Sequence, residues 1–206
     1  MNPKPSHNII RRLLFLMVGI MMMSCATSSY IPIRYQLPPA SDQLQGRTVS
    51  LAFEDLRADK NFLSPNAQKE FKKFSGLFSL YLARANQQDE LVGGFKVETL
   101  FKEAIKSRLE GMGVKVAASP GPSQPVMEIR LKEFFLDYKS MQWITTVGYQ
   151  AQLSRDKGNS ASETVSISGE RMKTIGRGNV EKYLGEIFSE SLNKLDVNKL
   201  FQQTGL

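Results

Sequence analysis

The sequence predicts an α+β fold in which a single antiparallel or mixed sheet carries two amphipathic helices on one face and leaves its other face polar. Three long segments, around 127–131, 142–153 and 164–168, alternate apolar and polar residues, which is typical of antiparallel strands with one buried face. Two further segments, at 96–112 and from Asn179 onward, repeat apolar residues every three or four positions, which is typical of helices with one buried face. Both helices need an apolar surface to cover, and the sheet supplies it.

Shorter segments add strands before the long ones. Apolar and polar residues alternate from Thr48 to Glu54, and a second apolar run, Leu77 to Ala83, also indicates a strand. Between them, Asp55 to Gly76 is predicted to be a basic loop or a short helix. A short strand at Val114 to Ala118 follows the helix at 96–112, which predicts a strand, helix, strand unit with a parallel return.

The N-terminus has the layout of a bacterial export signal. Lys4, Arg11 and Arg12 form a basic start, and an apolar run of 11 residues follows from Leu13 to Met23. A helix of that length rises about 16 Å and cannot cross a hydrocarbon core of about 30 Å, so a permanent transmembrane helix is the poorer interpretation. Residues 1–24 are therefore predicted to be a signal peptide.

The segment Met22-Met23-Ser24-Cys25 resembles the lipobox of bacterial lipoproteins, in which the cysteine becomes diacylated. Cys25 is the only cysteine of the chain and is predicted to be the lipidated N-terminus of the mature protein. Two alternatives stay open: ordinary cleavage after Ala26, and a chance cysteine in an export signal. Because Ala26 and not Asp follows the cysteine, the expected location is the outer membrane, facing the periplasm.

Composition divides the mature chain into two parts. Residues 25–45 are rich in Ser, Thr and Pro and show no sustained period, so a lipidated cysteine followed by a flexible tether is predicted there. Residues 46–206 contain all the predicted helices and strands and are expected to form one periplasmic α+β domain, long enough for a core of its own.

The composition also narrows the chemistry that the domain can perform. His7 and Cys25 are the only His and Cys among the 206 residues, so the domain has no residues for a Ser-His-Asp triad, a Cys-His pair or a disulfide. No catalytic residue, metal site or cofactor is predicted, and we expect no enzyme. Removal of residues 1–24 takes away three basic residues, which leaves 24 Lys plus Arg against 20 Asp plus Glu and lowers the net charge from +7 to +4. Nucleic acid is therefore not an expected partner.

Two short motifs and the element order resemble a known family. The first strand runs into Phe53-Glu54-Asp55-Leu56-Arg57, and the helix at 96–112 is followed by Gly-Met-Gly-Val-Lys-Val at 111–116. With the export signal, the lipid cysteine, three long strands and a closing helix, the chain resembles YajG-type outer-membrane lipoproteins, and more distantly the auxiliary lipoproteins of ABC-type transport systems. The resemblance implies an exported, lipid-anchored, non-enzymatic domain. The unusual lipobox and a longer insertion after Arg57 depart from the family pattern.

Asp55 and Arg57 form the first candidate site. Two residues apart at the end of a strand, they point to one side of the backbone, where carboxylate and guanidinium can pair. The pair is predicted to fasten the following loop; the alternative is that Arg57 binds an anionic group of a lipid, glycan or protein.

Two further surfaces are candidate contacts. Lys69, Lys72 and Lys73 alternate with Phe residues, a composition that suits an anionic surface but is more typical of a solvated helix whose Phe side chains enter the core. Arg130 and Lys132 lie on the predicted polar face of the sheet, which is either simply solvated or a docking face.

The favoured function is a non-catalytic accessory or protein-interaction module of an envelope complex, joined to the membrane by its lipid. The alternative is a lipid- or ligand-handling auxiliary lipoprotein of an ABC-type transport system. An apolar groove between helices and sheet would favour the alternative, and a packed core would favour the interaction module.

Overall fold

The computed structural model describes residues 30–119, 121, 124–155, 158–173 and 178–206. The predicted signal peptide and the predicted lipidation site Cys25 lie outside the described residues, as does part of a hairpin turn that the sequence predicts at 156–159.

Eight strands and four helices are present in the described part of the chain. The strands are β1 (Tyr30–Gln36), β2 (Thr48–Asp55), β3 (Leu77–Ala83), β4 (Glu90–Phe95), β5 (Lys115–Ala117), β6 (Val126–Lys139), β7 (Gln142–Ser154) and β8 (Ser160–Met172). The helices are α1 (Pro65–Glu70), α2 (Val97–Gly111), α3 (Gly178–Lys194) and α4 (Val197–Gln203). No helix in these ranges is long and apolar enough to cross a membrane.

The larger sheet has five strands in the order β5-β2-β6-β7-β8. β6, β7 and β8 pair antiparallel, as predicted, whereas β2 pairs parallel to both β5 and β6. The β6–β7 register shifts between Leu131 and Glu133. This irregularity changes which positions of β6 face inward, from Leu131 and the odd-numbered residues before it to Phe134 and Leu136.

A second sheet of three strands, in the order β1-β3-β4, corrects the prediction of a single sheet. β1 pairs parallel to β3 from Tyr30 opposite Leu77 to Gln36 opposite Ala83, and β4 pairs antiparallel to β3. The predicted strand, helix, strand unit is also wrong, because β3 lies in this sheet while β5 lies in the larger one. The chain after Arg57 crosses the core, where Phe62 contacts Phe134 at 4.6 Å between ring centroids, before β3 begins.

The flexible tether predicted over 25–45 is wrong from Tyr30 onward. Ile31, Ile33 and Tyr35 of β1 are fully buried, and Leu44 is buried as well. Pro32 argues against a strand when the sequence is considered alone. The structure shows that β1 is an edge strand, where a proline is tolerated. The folded domain therefore begins well before residue 46.

The helices join the two sheets and do not simply cover one face of a single sheet. α2 contacts β2 and β5 of the larger sheet and β3 and β4 of the smaller one, while α3 contacts β1, β7 and β8. α1 lies in the segment predicted to be a loop or a short helix, and α4 was not predicted as a separate helix. Each begins at a side-chain cap: Ser64 Oγ accepts from the Ala67 amide at 3.1 Å, and Asp196 Oδ1 accepts from the Lys199 amide at 2.9 Å.

Aromatic rings fill the space between sheets and helices. Phe101 of α2 lies 5.3 Å from Phe134 of β6 and 5.2 Å from Phe188 of α3, and Phe78 of β3 lies 5.5 Å from Phe134. Rings from both sheets and both long helices thus meet in one core, at the separations that favour edge-to-face and tilted contacts.

The outer edge of β1 is closed by α3. The Gln36 amide donates to Ser189 Oγ at 2.9 Å, and Asn193 Nδ2 donates to the Gln36 carbonyl at 2.9 Å. The helix comes this close because position 185 is glycine: an added Cβ would lie 2.8 Å from the Arg34 carbonyl oxygen. The edge backbone is thus paired at Gln36 by side chains of a helix.

Candidate functional site

Asp55 and Arg57 form the pair that the sequence predicts. Arg57 Nε donates to Asp55 Oδ1 at 3.0 Å, and Nη2 donates to Oδ2 at 2.9 Å, so the contact is bidentate. The Arg57 amide also donates to Oδ1 at 3.1 Å, and Nη1 donates to the Phe134 carbonyl at 3.3 Å. The guanidinium is therefore engaged on both sides and ties the end of β2 to β6.

The two partners differ in exposure. The Arg57 side chain is 5% exposed, whereas Asp55 is 29% exposed and also contacts Lys60 Nζ at 3.2 Å. Hydrogen bonds from Arg57, opposed by partial burial and supported by Lys60, lower the pKa of Asp55 to about 2. The arrangement stabilises the loop after β2, and the engaged guanidinium is not presented to an external anion.

The lysines of the predicted surface contact lie in the last turn of α1 and just after it. Lys69 Nζ donates to Asn66 Oδ1 at 3.2 Å, and Lys72 and Lys73 are exposed. Phe71 is buried and packs on Trp143 at 5.8 Å, so the aromatic residues of this segment enter the core while its lysines face solvent.

Arg130 lies among polar partners on the larger sheet. It contacts Glu128 at 2.6 Å and Glu54 at 3.4 Å, and Nη1 donates to Gln152 Oε1 at 3.1 Å. Lys132 is exposed nearby on the same strand. Arg130 therefore belongs to a network of charges on the polar face.

The structure does not bring the two predicted contact surfaces together. Arg130 stands opposite Gln150 of β7, whereas the α1 segment packs on Trp143 of the same strand. Seven residues of a strand span about 23 Å. The lysines of the α1 segment and the polar face are therefore separate sites.

Arg108 is a buried cation that the sequence analysis does not predict. It lies on α2, and its guanidinium donates to the carbonyls of Leu192 and, at 2.6 Å, Leu195, at the C-terminal end of α3. A cation placed there complements the helix dipole. Its spacing of seven from Phe101 puts it on the core face of α2, which is the signal that could have revealed it.

A cleft of about 760 Å³ opens beside Arg108. Its walls include Leu37, Pro38, Met112 and Asn193. The nearby phenol of Tyr35 donates to Asn193 Oδ1 at 3.0 Å, and burial raises the pKa of Tyr35 above its usual range. Within the described ranges, no group of three or more acidic, His or Cys side chains could hold a metal ion.

Comparison with known proteins finds similarity among solved structures alone. No protein-family model matches the chain, and no curated protein matches it significantly. The chain is similar to a DUF330 protein from Xanthomonas campestris at 13% identity and a TM-score of 0.49, over 86% of this chain and 97% of that one.

Two further solved structures are bacterial lipoproteins. Rare lipoprotein B from Shewanella oneidensis has 9% identity and a TM-score of 0.37, over 70% of this chain and 89% of that one. Lipoprotein GNA1162 from Neisseria meningitidis has 13% identity and a TM-score of 0.29, over 72% and 99%. The YajG-type resemblance stays a prediction from the sequence.

Proposed function

We propose that the chain is an exported lipoprotein, anchored in the outer membrane through Cys25, whose domain is a non-catalytic interaction module of an envelope complex. The observation that carries the proposal is the N-terminal segment: a basic start, an apolar run from Leu13 to Met23, and Ser24-Cys25 directly after it. Ala26 after the cysteine supports outer-membrane placement.

The packing of the interior supports an interaction module over lipid handling. An acyl chain taken up between helices and sheet would have to displace Phe101, Phe134 and Phe188, which are all buried and in mutual ring contact. The long strands β6, β7 and β8 meanwhile present a wide polar face, on which Arg130 and Gln152 are half-buried and Ser166 is exposed. A protein partner can dock on such a face through hydrogen bonds and ion pairs.

The anchor is tested by Cys25→Ala, with Ser28→Ala as the matched control. The wild-type chain and the control are expected to incorporate radiolabelled palmitate and to fractionate with the outer membrane, because two acyl chains hold a domain stably on a bilayer. The Cys25→Ala chain is expected to remain an uncleaved precursor or to be released in soluble form. A Cys25→Ala chain of mature length that stays in the outer membrane would contradict the anchor.

The interaction module is tested by photo-crosslinking in intact cells. A crosslinkable residue at Ser166, on the polar face, is expected to give one discrete protein adduct. The same residue at Gln87, which is exposed between β3 and β4 of the smaller sheet, is expected to give none. Adducts of equal yield at both positions would contradict docking through the polar face.

The alternative function, ligand or lipid handling, is favoured by one observation, the cleft beside Arg108. It is large enough for a small ligand and joins apolar walls at Leu37 and Met112 to a buried cation. Binding of a fluorescent fatty acid that Met112→Trp abolishes, with the melting temperature unchanged, would favour this function over the interaction module.

A further inference from the structure

We propose that one end of the domain rests on an anionic bilayer surface. This anchor end consists of Tyr30, Lys72, Lys73, Lys96, Met141 and Met172. The proposal rests on the lipid anchor at Cys25 proposed above and adds to it the face that the domain turns toward the membrane.

The length of chain between the lipid and the fold carries the first step. Only residues 26–29 separate Cys25 from Tyr30, the first residue of β1. A fully extended chain spans at most about 3.6 Å per residue, so five residues hold Tyr30 within about 18 Å of the acylated residue, whatever path the chain takes. A tether reaching to residue 45 would have let the domain turn freely, but the burial of β1 removes that freedom.

The sheet register carries the second step, since it says what lies beside Tyr30. Tyr30 stands opposite Leu77, the first residue of β3, and Phe78 stands opposite Phe95 of β4. The exposed residues Lys72 and Lys73 come just before β3, and the exposed residue Lys96 follows β4. Three lysines therefore lie at the end of the sheet from which the lipid anchor leaves.

The third step uses the contacts of α1. These contacts place the end of the larger sheet that contains the β6–β7 turn beside the end of the smaller sheet that contains Tyr30. Glu70 at the end of α1 pairs with Lys173 at 2.7 Å, directly after β8. The Lys173 amide donates to the Met141 carbonyl at 2.8 Å. The β6–β7 turn and the end of β8 thus lie beside the α1 segment.

Three large hydrophobic side chains are exposed at this end of the domain. Met141 is 61% exposed at the tip of a two-residue turn, Met172 is 69% exposed, and Tyr30 is 39% exposed. They are three of the five large hydrophobic residues that are exposed in the described part of the chain. Apolar and aromatic tips among lysines match the interface of a bilayer, where the tips enter the headgroup layer and the ammonium groups meet lipid phosphates.

The charge of this end favours an anionic surface. Lys69, Lys139 and Lys173 add to the three lysines of the anchor end. Four acidic residues lie beside them: Glu70, which is paired with Lys173, Glu98, which is paired with Lys102, and Asp137 and Glu170, which stand level with each other on β6 and β8. Lysines outnumber carboxylates there by six to four, and each lysine near an anionic surface strengthens the attraction about fivefold.

The test measures which end of the acylated full-length protein approaches the lipid. Because acylation consumes the thiol of Cys25, a cysteine placed at Met172 or at Ser160 is the only site for a fluorophore. Both residues are exposed on β8, and 12 residues of strand set them about 40 Å apart. The proteins are incorporated in vesicles of phosphatidylcholine and phosphatidylglycerol, three to one, that carry nitroxide-labelled headgroups.

We expect the label of Met172→Cys to be quenched several-fold more than that of Ser160→Cys. Equal quenching, or stronger quenching at Ser160→Cys, in protein that floats with the vesicles would overturn the proposed orientation and leave the anchor intact. Protein that fails to float would overturn the anchor and the orientation together.

A charge reversal tests the lysines themselves. In the Met172→Cys background, Lys72→Glu with Lys73→Glu is expected to reduce quenching at least twofold on the anionic vesicles and to leave the melting temperature unchanged, because both side chains are exposed. Lys115→Glu with Arg47→Glu makes the same change in net charge at two exposed positions at the opposite end of the sheet, and this matched control is expected to change nothing. Unchanged quenching in the double variant would overturn the proposal that Lys72 and Lys73 attract this end of the domain to the anionic bilayer.

Discussion

At the scale of single residues, Asp55 and Arg57 differ in how much each depends on the other. In the described part of the chain, the buried Arg57 guanidinium has the Phe134 carbonyl as its only other acceptor, whereas the Asp55 carboxylate is partly exposed and keeps Lys60. Removing the Asp55 carboxylate leaves the buried Arg57 guanidinium without its ion-pair partner. Removing the guanidinium leaves a carboxylate that water can reach. The penalty therefore depends on which partner is lost.

Asp55→Ala is expected to cost about 3–5 kcal/mol of unfolding free energy, because it leaves Arg57 buried and unpaired. Arg57→Ala is expected to cost less, about 1–3 kcal/mol, from lost hydrogen bonds. Lys60→Ala, at an exposed position, should cost about 1 kcal/mol or less. Urea unfolding of the three variants measures the order, and a larger loss for Arg57→Ala than for Asp55→Ala would contradict it.

The same pair predicts a pH dependence. The pKa of Asp55 is about 2 in the folded protein and about 3.9 in an unfolded chain, so the folded state favours the ionised form. This contribution to stability is complete above about pH 4 and is lost as the pH falls from about 4 to about 2. Stability measured from pH 6 to pH 2 should fall more steeply in the wild type than in Asp55→Asn. Parallel curves for the two proteins would show that ionisation of Asp55 does not contribute to the pH dependence of stability.

Local residue patterns predict the Asp55–Arg57 pair but not the role of Arg108. A spacing of two at a strand end places both partners on one side, so the pair can be read locally. The carbonyls that Arg108 binds belong to Leu192 and Leu195, more than 80 residues later in the chain. Partners that distant are set by the packing of α2 against α3, which no local pattern encodes.

At the scale of elements, α3 depends on its close approach to β1. Gly185→Ala adds a Cβ that would lie 2.8 Å from the Arg34 carbonyl oxygen, so helix and strand must move apart. We expect a loss of about 1–3 kcal/mol, which exceeds the gain in helix propensity. Gly111→Ala, in α2, meets nothing within 4 Å and should be neutral or stabilising by up to about 1 kcal/mol.

Thermal unfolding of both glycine variants measures this difference. Equal melting temperatures for Gly185→Ala and Gly111→Ala would mean that β1 and α3 adjust to the added methyl group without cost. The comparison is matched, since both variants make the same change within a helix.

The elements that the sequence predicts are those with an uninterrupted apolar run or a regular alternation of apolar and polar residues. The predicted strands β2, β3, β5, β6, β7 and β8 and the two long helices are confirmed. The prediction for β6 ends at Leu131, because the register shift reverses the pattern there. β4 was missed because Gly93 and Gly94 interrupt it. In β1, Ile31, Ile33 and Tyr35 do alternate, but Pro32 and its Ser- and Pro-rich surroundings are typical of a loop.

At the scale of the whole molecule, the position of the N-terminal domain boundary predicts how a truncated chain behaves. A chain beginning at residue 46 lacks Ile31, Ile33, Tyr35, Leu37 and Leu44, which are all buried. At about 1.5–3 kcal/mol for each large side chain, the loss is comparable to the whole stability of about 5–15 kcal/mol expected of a domain.

We therefore expect residues 46–206 to be unfolded and residues 30–206 to unfold cooperatively. Circular dichroism with thermal melts measures both. A cooperative transition in the shorter chain would mean that the small sheet forms without β1.

The closure of β1 by α3 has a consequence for the timing of biogenesis. Gln36 and Ser189 are 153 residues apart, and contacts of such separation form late. In a chain that crosses a membrane from its N-terminus onward, β1 cannot be enclosed before α3, nearly the last element, has emerged. For a protein acylated at Cys25 as proposed, the segment beside the cysteine would then stay open to the acylating enzyme until the chain is through, and modification would precede folding.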